Sequence, residues 1–343
     1  MNNVQSQLSR FEAAVDAIVT GDAPTLRKLL HDDPSLARAR SSREHRSTLL
    51  HYVSANGVED VRQKTPGNIV EIATILLETD SDINAESEAY GGHSTTLELA
   101  ATSYHPEVAG VQLALLELLI KRGAKIDGLD GRSTVNSCLH NGRGPAAEFL
   151  AGRGALLDLE GAAGVGRLDL VRSFFETNGV LKPTATQRQM LDGFAWACEF
   201  GRTQVVDFFL QRGLRADAKL SHGETGLHWA AFEAHIDVAK LLLANRADVD
   251  SIDDTYHGTP LGWALYAWGG SRKSEPYYAM VALLARAGAR LESDWLEQSL
   301  VQNPAQNQNN DRQRAAEKVR SDPRMQAALR GEAPGAGPSG SVW

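Results

Sequence analysis

The sequence of 343 residues contains very little cysteine. Its two cysteines, Cys138 and Cys198, are too few for a disulfide framework. Both lie in predicted helices at positions that require a small residue, so we interpret them as buried thiols rather than a disulfide or a metal site. We therefore expect a protein of a reducing compartment, the cytoplasm.

Long apolar segments are also missing. No stretch approaches the roughly 18 consecutive apolar residues of a membrane-spanning helix. Residues 1–18 lack the basic flank and the uninterrupted apolar region of a secretory signal. We expect a soluble protein that does not associate with membranes.

The chain has no excess of basic residues. It carries 35 lysines and arginines against 43 aspartates and glutamates, a formal net charge of −8. Proteins that bind nucleic acids through the phosphates present basic surfaces, so we expect no nucleic-acid partner. The mild acidity is compatible with a basic protein partner, but it is also a general means of staying soluble.

Sequence signatures of catalysis and of cofactor binding are missing too. The glycine-rich segments 142–154 and 161–166 lack the Gly-Lys-Ser/Thr ending of a phosphate-binding loop, and no Gly-x-Ser-x-Gly elbow occurs. His228, Glu233 and His235 match no zinc-binding spacing. We expect no cofactor, no bound metal and no enzymatic activity.

What the sequence does contain is a helix–turn–helix pattern, clearest in Gly223–Asp250. Thr225 is placed to cap a first short helix, and a broader apolar stripe begins at Ile236 and marks a second helix. Helices this short are marginal by themselves, so the unit needs similar neighbours on both sides.

The motif residues of this segment resemble an ankyrin repeat. They are Thr225, Leu227, His228, Ala230 and Ala231, followed by Leu241-Leu242 and Ala247-Asp248-Val249-Asp250. A second copy begins at Gly258-Thr259-Pro260-Leu261, and its threonine stands 34 residues after Thr225, close to the family period of about 33. The resemblance implies an all-α ankyrin-repeat solenoid of about eight helix–turn–helix repeats with short β-hairpin-like loops.

The resemblance also implies a structural role for the motif histidines, whose imidazoles fix a turn in this family. The structural motif residues are Thr48, His51, Thr225, His228, Thr259 and Pro260. Arg246 and Asp80 replace the glycine that ends a helix in the family pattern. Because a left-handed arginine would cost about 1 kcal/mol, we expect the helix before Arg246 to end differently.

We predict an array spanning residues 1–295, a helical extension over 296–330 and a disordered tail over 331–343. The repeats are expected near residues 11–40, 46–85, 93–127, 131–158, 160–177, 191–217, 222–253 and 257–291. The fifth is degenerate, and Thr177–Met190 is interpreted as a spacer. Loop insertions are predicted at Val58–Gly67, Thr102–Gly110 and Gly269–Pro276.

Aromatic residues suggest a binding surface in repeats six to eight. Alignment of the inner helices places Trp196, Trp229 and Trp263 at one shared position, where they serve either inter-repeat packing or recognition. Two positions that begin three residues after each tryptophan are assigned by the resemblance to the concave groove, and they hold Glu199, Phe200, Phe232, Glu233 and Tyr266. Exposed aromatics interleaved with acids are typical of protein-binding surfaces. The loop tips Glu86–His93 and Asp253–His257 are further contact candidates.

The function implied by the resemblance is a non-catalytic scaffold or adaptor. It would bind a protein partner, whose identity the sequence does not give, through the concave inner-helix face and the loop tips. We expect a monomer. Two alternatives remain open: a small-molecule sensor or enzyme with a pocket under the insertions, and a secreted effector or immunity protein.

Overall fold

The computed structural model describes residues 3–129, 131–271, 274–291 and 307–332. The chain divides into two compact units, Met1–Leu157 and Asp158–Trp343, and each is described by itself. None of the described helices is long and apolar enough to cross a membrane.

The first unit consists of short helices and one two-stranded hairpin. Its α-helices are α1 Asn3–Thr20, α2 Ala23–Asp32, α3 Ile69–Glu78, α4 Thr96–Thr102, α5 Tyr104–Val108, α6 Gln112–Lys121, α7 Thr134–His140 and α8 Gly144–Ala151. Its 3₁₀ helices are Pro34–Arg38, Leu49–Ser54, Asp60–Arg62 and Ala89–Gly91. Strands β1 (Glu86–Ser87) and β2 (Ser94–Thr95) pair antiparallel, with Glu86 opposite Thr95.

These helices form an inner row and an outer row. The inner row contains α1, the 3₁₀ helix Leu49–Ser54, α4 and α7, each packed against the next. The outer row contains α2, α3, α6 and α8. The core between the rows is made of leucine, isoleucine and alanine side chains such as Leu26, Leu49 and Ile72, which are fully buried. Neighbouring hairpins therefore bury the apolar faces that none of them can bury alone.

The second unit repeats the same arrangement. Its helices are α9 Leu159–Gly164, α10 Leu168–Ser173, α11 Gln187–Glu199, α12 Thr203–Gln211, α13 Gly226–Phe232, α14 Ile236–Ala244, α15 Pro260–Gly270, α16 Glu275–Arg286, α17 Asn307–Ser321 and α18 Pro323–Leu329. The odd-numbered helices from α9 to α17 form the inner row, and the even-numbered ones from α10 to α18 form the outer row. The predicted all-α repeat fold is confirmed.

The C-terminal helices continue the repeat geometry beyond Leu291, where the sequence pattern stops. Helix α17 packs on α15 as a further inner helix, and α18 packs on α16 as a further outer helix. Both helices belong to the predicted helical extension, and together they bury an apolar face that includes Ala315, Ala316, Val319, Met325 and Ala328. Residues 292–295 of the predicted array, residues 296–306 of the predicted extension and all but the first two residues of the predicted tail lie outside the described residues.

Several predicted boundaries differ from the structure. Helix α1 begins at Asn3, ahead of the expected start near residue 11. Within the predicted spacer we also expected a helical turn around Thr186–Met190, and this turn is the start of α11, where Thr186 and Gln189 form a capping box. The predicted loop Thr102–Gly110 contains α5.

The degenerate fifth repeat is helical even though segment 161–166 is rich in glycine. Helix α9 buries Gly161, Ala162, Ala163 and Gly164 against α11. A Cβ added at Gly193 in α11 would lie 3.0 Å from the Ala163 Cβ and 3.1 Å from the Glu160 Cα. Small residues on both helices permit this close approach, and the packing offsets the poor helix propensity of glycine.

The two non-glycine residues at helix ends do adopt the left-handed conformation. Arg246 has a φ of 65° and Asp80 a φ of 67°, so our prediction that the helix before Arg246 ends differently was wrong. Asp80 is engaged by Arg38, whose Nη2 donates to Asp80 Oδ1 over 3.0 Å. The side chain of Arg246 is exposed.

Candidate partner-binding face

Buried threonine–histidine pairs fix the start of two inner helices. The Thr225 N–H donates to His228 Nδ1 over 3.0 Å, and His228 Nε2 lies 3.2 Å from the carbonyl oxygen of Gly258. Because Nδ1 accepts, the proton is on Nε2 and is donated to that carbonyl. Each imidazole therefore joins its own helix start to the loop of the next repeat.

The second repeat contains the same arrangement. The Thr48 N–H donates to His51 Nδ1 over 3.1 Å, and His51 Nε2 lies 3.0 Å from the Ala85 carbonyl oxygen. Burial lowers the pKa of His51 to about 4. In the eighth repeat, where glycine replaces the histidine, the Thr259 hydroxyl accepts from the Gly262 N–H over 3.2 Å, and Pro260 occupies the first turn of α15. The His51 imidazole therefore holds the next loop on its inner helix, whereas the Thr259 hydroxyl only caps the start of α15.

Three aromatic rings of α13 and α15 form a mutually packed set, called the aromatic cluster below: Trp229, Phe232 and Trp263. The Trp229 and Trp263 ring centroids lie 5.2 Å apart at an interplanar angle of 88°. Phe232 packs edge-on against both, at 5.9 Å from Trp263 and 6.3 Å from Trp229. All three side chains are half-buried, so the cluster contributes to packing between repeats and still presents ring surface to solvent.

The loop before α15 positions the aromatic cluster. Asp253 is buried, and its carboxylate accepts from the Thr255, Tyr256 and Gly258 N–H groups and from Trp263 Nε1 at 3.0 Å. Burial alone would raise the pKa of Asp253, but these donors outweigh it and hold the pKa below its usual value. The Asp253 carboxylate therefore holds both the loop backbone and the Trp263 ring in place.

The remaining predicted aromatic residues lie around this cluster. Tyr266 on α15 is 40 % exposed, and Phe200 is half-buried at the C-terminal end of α11. Tyr256, in the predicted loop tip Asp253–His257, is exposed, with its ring 6.2 Å from that of Trp263. Among the described residues, the ring contacts of the cluster do not extend to Trp196, which is half-buried one repeat earlier.

Two carboxylates lie next to aromatic residues of this face: Glu233 follows Phe232, and Glu199 precedes Phe200. Glu199 and Glu233 are called the acidic pair below. Glu199 is half-buried and Glu233 is exposed. Burial, together with the charge of Glu233, raises the pKa of Glu199 to about 8. His235 is held close by, since its Nε2 donates to the carbonyl oxygen of Glu199 over 2.8 Å. In the described parts of the chain neither carboxylate forms an ion pair.

The corresponding surface of the first unit is covered. Tyr52, the counterpart of Trp229 in the second repeat, is fully buried. The insertion Val58–Gly67, called the strap below, lies over it, with Glu59 Oε1 3.5 Å from the Tyr52 hydroxyl. Arg62 of the strap contacts Glu12 Oε2 at 2.5 Å, and Arg43 pairs with both Glu12 and Glu59. The strap therefore covers Tyr52, and ion pairs with Glu12 and Arg43 hold the strap in place.

The other predicted loop tip, Glu86–His93, lies in the first unit. It contains the β1–β2 hairpin, closed by a hydrogen bond of 2.9 Å that His93 Nδ1–H donates to Glu86 Oε2. Tyr90 is 71 % exposed, and its hydroxyl donates to Asn56 Oδ1 over 2.6 Å. This tip is accessible, but it carries no aromatic cluster.

A shallow pocket of about 250 Å³ lies elsewhere in the second unit. It is formed between the C-terminal ends of α12 and α14 and is lined by Leu210, Gly213, Leu214, Arg215, Ala216, Asp217, Asn245 and Arg246. None of these residues belongs to a predicted insertion. Within the described ranges, no group of three histidine, cysteine, aspartate or glutamate side chains is arranged to hold a metal ion.

Comparison with known families identifies the repeats. Residues 159–253 and 194–294 match the family described as "Ankyrin repeats (3 copies)". Residues 159–294 are therefore ankyrin repeats. The matched residues include the aromatic cluster and the acidic pair. The first unit, interrupted by insertions, lies outside the match but contains the same inner and outer rows.

A solved ankyrin-repeat structure resembles this chain over most of its length. The crystal structure of the human ASB11 ankyrin repeat domain is 18 % identical, and the match covers 78 % of this chain and 96 % of that one with a TM-score of 0.40. At this TM-score the likeness adds nothing to the assignment, which rests on the family match and the repeat geometry. Ankyrin repeats generally mediate protein–protein interaction, and the family is typically non-catalytic.

The sequence did not reveal three features of the site: the role of Asp253, the strap and the isolation of the acidic pair. An aspartate in a loop between two helices is the one available signal, because its carboxylate commonly accepts from the backbone N–H two residues further on, as Asp253 does from Thr255. Nothing in the strap's composition predicts that it folds back on Tyr52, because its ion-pair partners lie far away along the chain.

Proposed function

We propose that this ankyrin-repeat protein is a non-catalytic scaffold that binds a partner protein through the inner-helix face of its second unit. The contact surface consists of the aromatic cluster, Phe200 and Tyr266, with Tyr256 at its edge. The protein acts as a monomer in the cytoplasm, and its partner is neither a nucleic acid nor a membrane.

The observation that carries this proposal is the half-exposed aromatic cluster. Aromatic side chains are the commonest anchors of protein interfaces, because they bury much area at little conformational cost. The Trp263 ring is already held by Asp253, so little ordering entropy is lost on binding. In the first unit the strap covers the corresponding position, which favours the second unit as the binding surface.

The proposal is tested by capturing partners from a cell lysate with the intact protein and with a Phe200→Ala, Phe232→Ala, Tyr266→Ala variant. The variant must first match the parent in circular dichroism and in unfolding midpoint. We expect a partner that the parent retains and the variant loses.

A Tyr104→Ala variant provides the matched control. Tyr104 is also an exposed aromatic, at 58 %, but it lies on α5 of the first unit. It should capture the partner as well as the parent does. Equal capture by the parent and the triple variant would contradict the proposed face. Gel filtration with light scattering tests the separate proposal that the protein is a monomer.

A further inference from the structure

We infer that the inner-helix face of the second unit is built for a basic partner segment, with a lysine or arginine side chain seated on the aromatic cluster beside the acidic pair. The inference rests on the proposed function and specifies the chemistry of the partner. It follows from an imbalance of charge at this face.

The imbalance is visible when the acidic pair is compared with other carboxylates of the same unit. Those near an arginine form ion pairs: Asp192 with Arg188, Asp217 with Arg215, Asp250 with Arg290 and Glu275 with Arg324. Glu199 and Glu233 stand one repeat apart with no such partner in the described residues. Burial, together with repulsion from Glu233, raises the pKa of Glu199 to about 8, so Glu199 is largely protonated in the free protein at neutral pH. A cation placed beside both carboxylates would offset this repulsion and favour the ionised form of Glu199.

The surroundings of the acidic pair suit a cation with an apolar stem. Lysine and arginine side chains bury their methylene groups on apolar surfaces while their charged ends reach polar partners. Ring faces of tryptophan attract such cations, and the attraction is stronger when water is excluded. Within this unit Lys318 already lies over the Trp268 ring, with its Nζ 4.2 Å from the centroid.

Other occupants fit this face less well. The last residues of the chain, Gly331–Trp343, contain no lysine or arginine and do not complement the acidic pair. A second copy of the chain has a net charge of −8 and would be repelled on average. Charge complementarity therefore points to a basic segment of a different protein.

The test is selection of random twelve-residue peptides displayed on phage against the full-length protein. Selected sequences are synthesised, and their affinities are measured by fluorescence anisotropy at low and at moderate salt. We expect lysine or arginine at one recurring position between apolar residues. Affinity should fall at least tenfold for a Glu199→Gln, Glu233→Gln variant and should weaken with added salt.

A Glu71→Gln, Glu78→Gln variant is the matched control. It changes the net charge by the same amount, but both carboxylates belong to helix α3 of the outer row of the first unit. It should bind the selected peptides like the parent. If the acidic-pair variant also kept full affinity, the inference would be overturned.

The outcomes separate this inference from the proposed function. Peptides that require Phe200, Phe232 and Tyr266 but contain no basic residue would refute the basic segment and leave the binding face intact. Peptides that bind equally to the aromatic triple variant would refute the face itself. A selection that enriches no peptide would also count against the basic segment.

Discussion

Asp253 and Trp263 are joined by a hydrogen bond of 3.0 Å from the indole Nε1–H to the carboxylate Oδ2. The same carboxylate closes the loop before α15 by accepting three backbone N–H groups. One side chain thus determines both the loop conformation and the orientation of the ring that packs against Trp229 and Phe232. The binding face depends on a residue that does not itself need to touch the partner.

Replacing Asp253 by Asn should therefore destabilise the second unit by roughly 1–3 kcal/mol, since an amide presents one acceptor oxygen in place of two. Urea unfolding followed by tryptophan fluorescence measures the change. Asp254→Asn in the same loop is the control, because Asp254 is exposed, and it should change stability by less than about 0.5 kcal/mol. Equal effects of both substitutions would refute the role of Asp253.

Replacing the left-handed residue Arg246 by glycine should stabilise the protein more than replacing Asp80 by glycine. Arg246→Gly removes conformational strain of about 1–2 kcal/mol, and after the greater entropy of the unfolded chain is subtracted we expect a net gain of roughly 0.5–1 kcal/mol. Asp80→Gly should gain less, because it also breaks the contacts with Arg38. Thermal unfolding compares the two, and a smaller gain for Arg246→Gly would contradict this assignment.

Replacing Gly193 by alanine, which adds one methyl group, should destabilise the second unit. In an open helix, alanine in place of glycine stabilises by about 1 kcal/mol. Here the new Cβ would press on Ala163 and Glu160 of α9, so Gly193→Ala should destabilise by roughly 1–3 kcal/mol. Gly270→Ala at the end of α15 is the control, since no atom lies within 4 Å of its added Cβ. Chemical unfolding of the two variants should give changes of opposite sign or clearly different size.

The contribution of Glu199 to stability should fall as the pH rises from about 4.5 to about 8. The pKa of Glu199 is about 8 in the folded protein, against an ordinary value of 4.5, so between these values the folded state holds a proton that the unfolded state has released. Glu160, with a pKa raised by burial to about 7, acts in the same direction. Glu199→Gln should reduce the fall in unfolding midpoint, and Glu233→Gln should reduce it less. An unchanged pH profile in Glu199→Gln would contradict the raised pKa.

The His51 imidazole should remain neutral at pH values well below 6.5, the ordinary pKa of histidine. Its pKa is lowered to about 4 by burial, so its stabilising contribution is complete above about 6.5 and is lost as the pH falls toward 4. Nitrogen-15 NMR of the imidazole should show the Nε2-protonated neutral form at pH 5.5. A titration midpoint near 6.5 would show that the bridge from Thr48 to Ala85 is open.

The sequence predicted the family and the all-α repeat fold, and both are confirmed. It did so because the ankyrin motif is local: Thr225, His228 and the following apolar residues determine one hairpin and its contact with the next. The predicted partner-binding residues and the domain limits stay predictions. The sequence signal is weak at the hairpin of α17 and α18, because this hairpin does not begin with the threonine–histidine motif.

Contacts between distant segments were decided only by the tertiary structure. Thr225 and His228 are three residues apart, and their hydrogen bond follows from helix geometry. The strap reaches back across some fifty residues to Glu12, and Gly193 touches α9 across an intervening helix. Such contacts depend on how helices stack, which periodicity does not encode. The sequence thus determined the repeating unit, while packing between units decided which inner-helix surface is covered by ion pairs and which remains open.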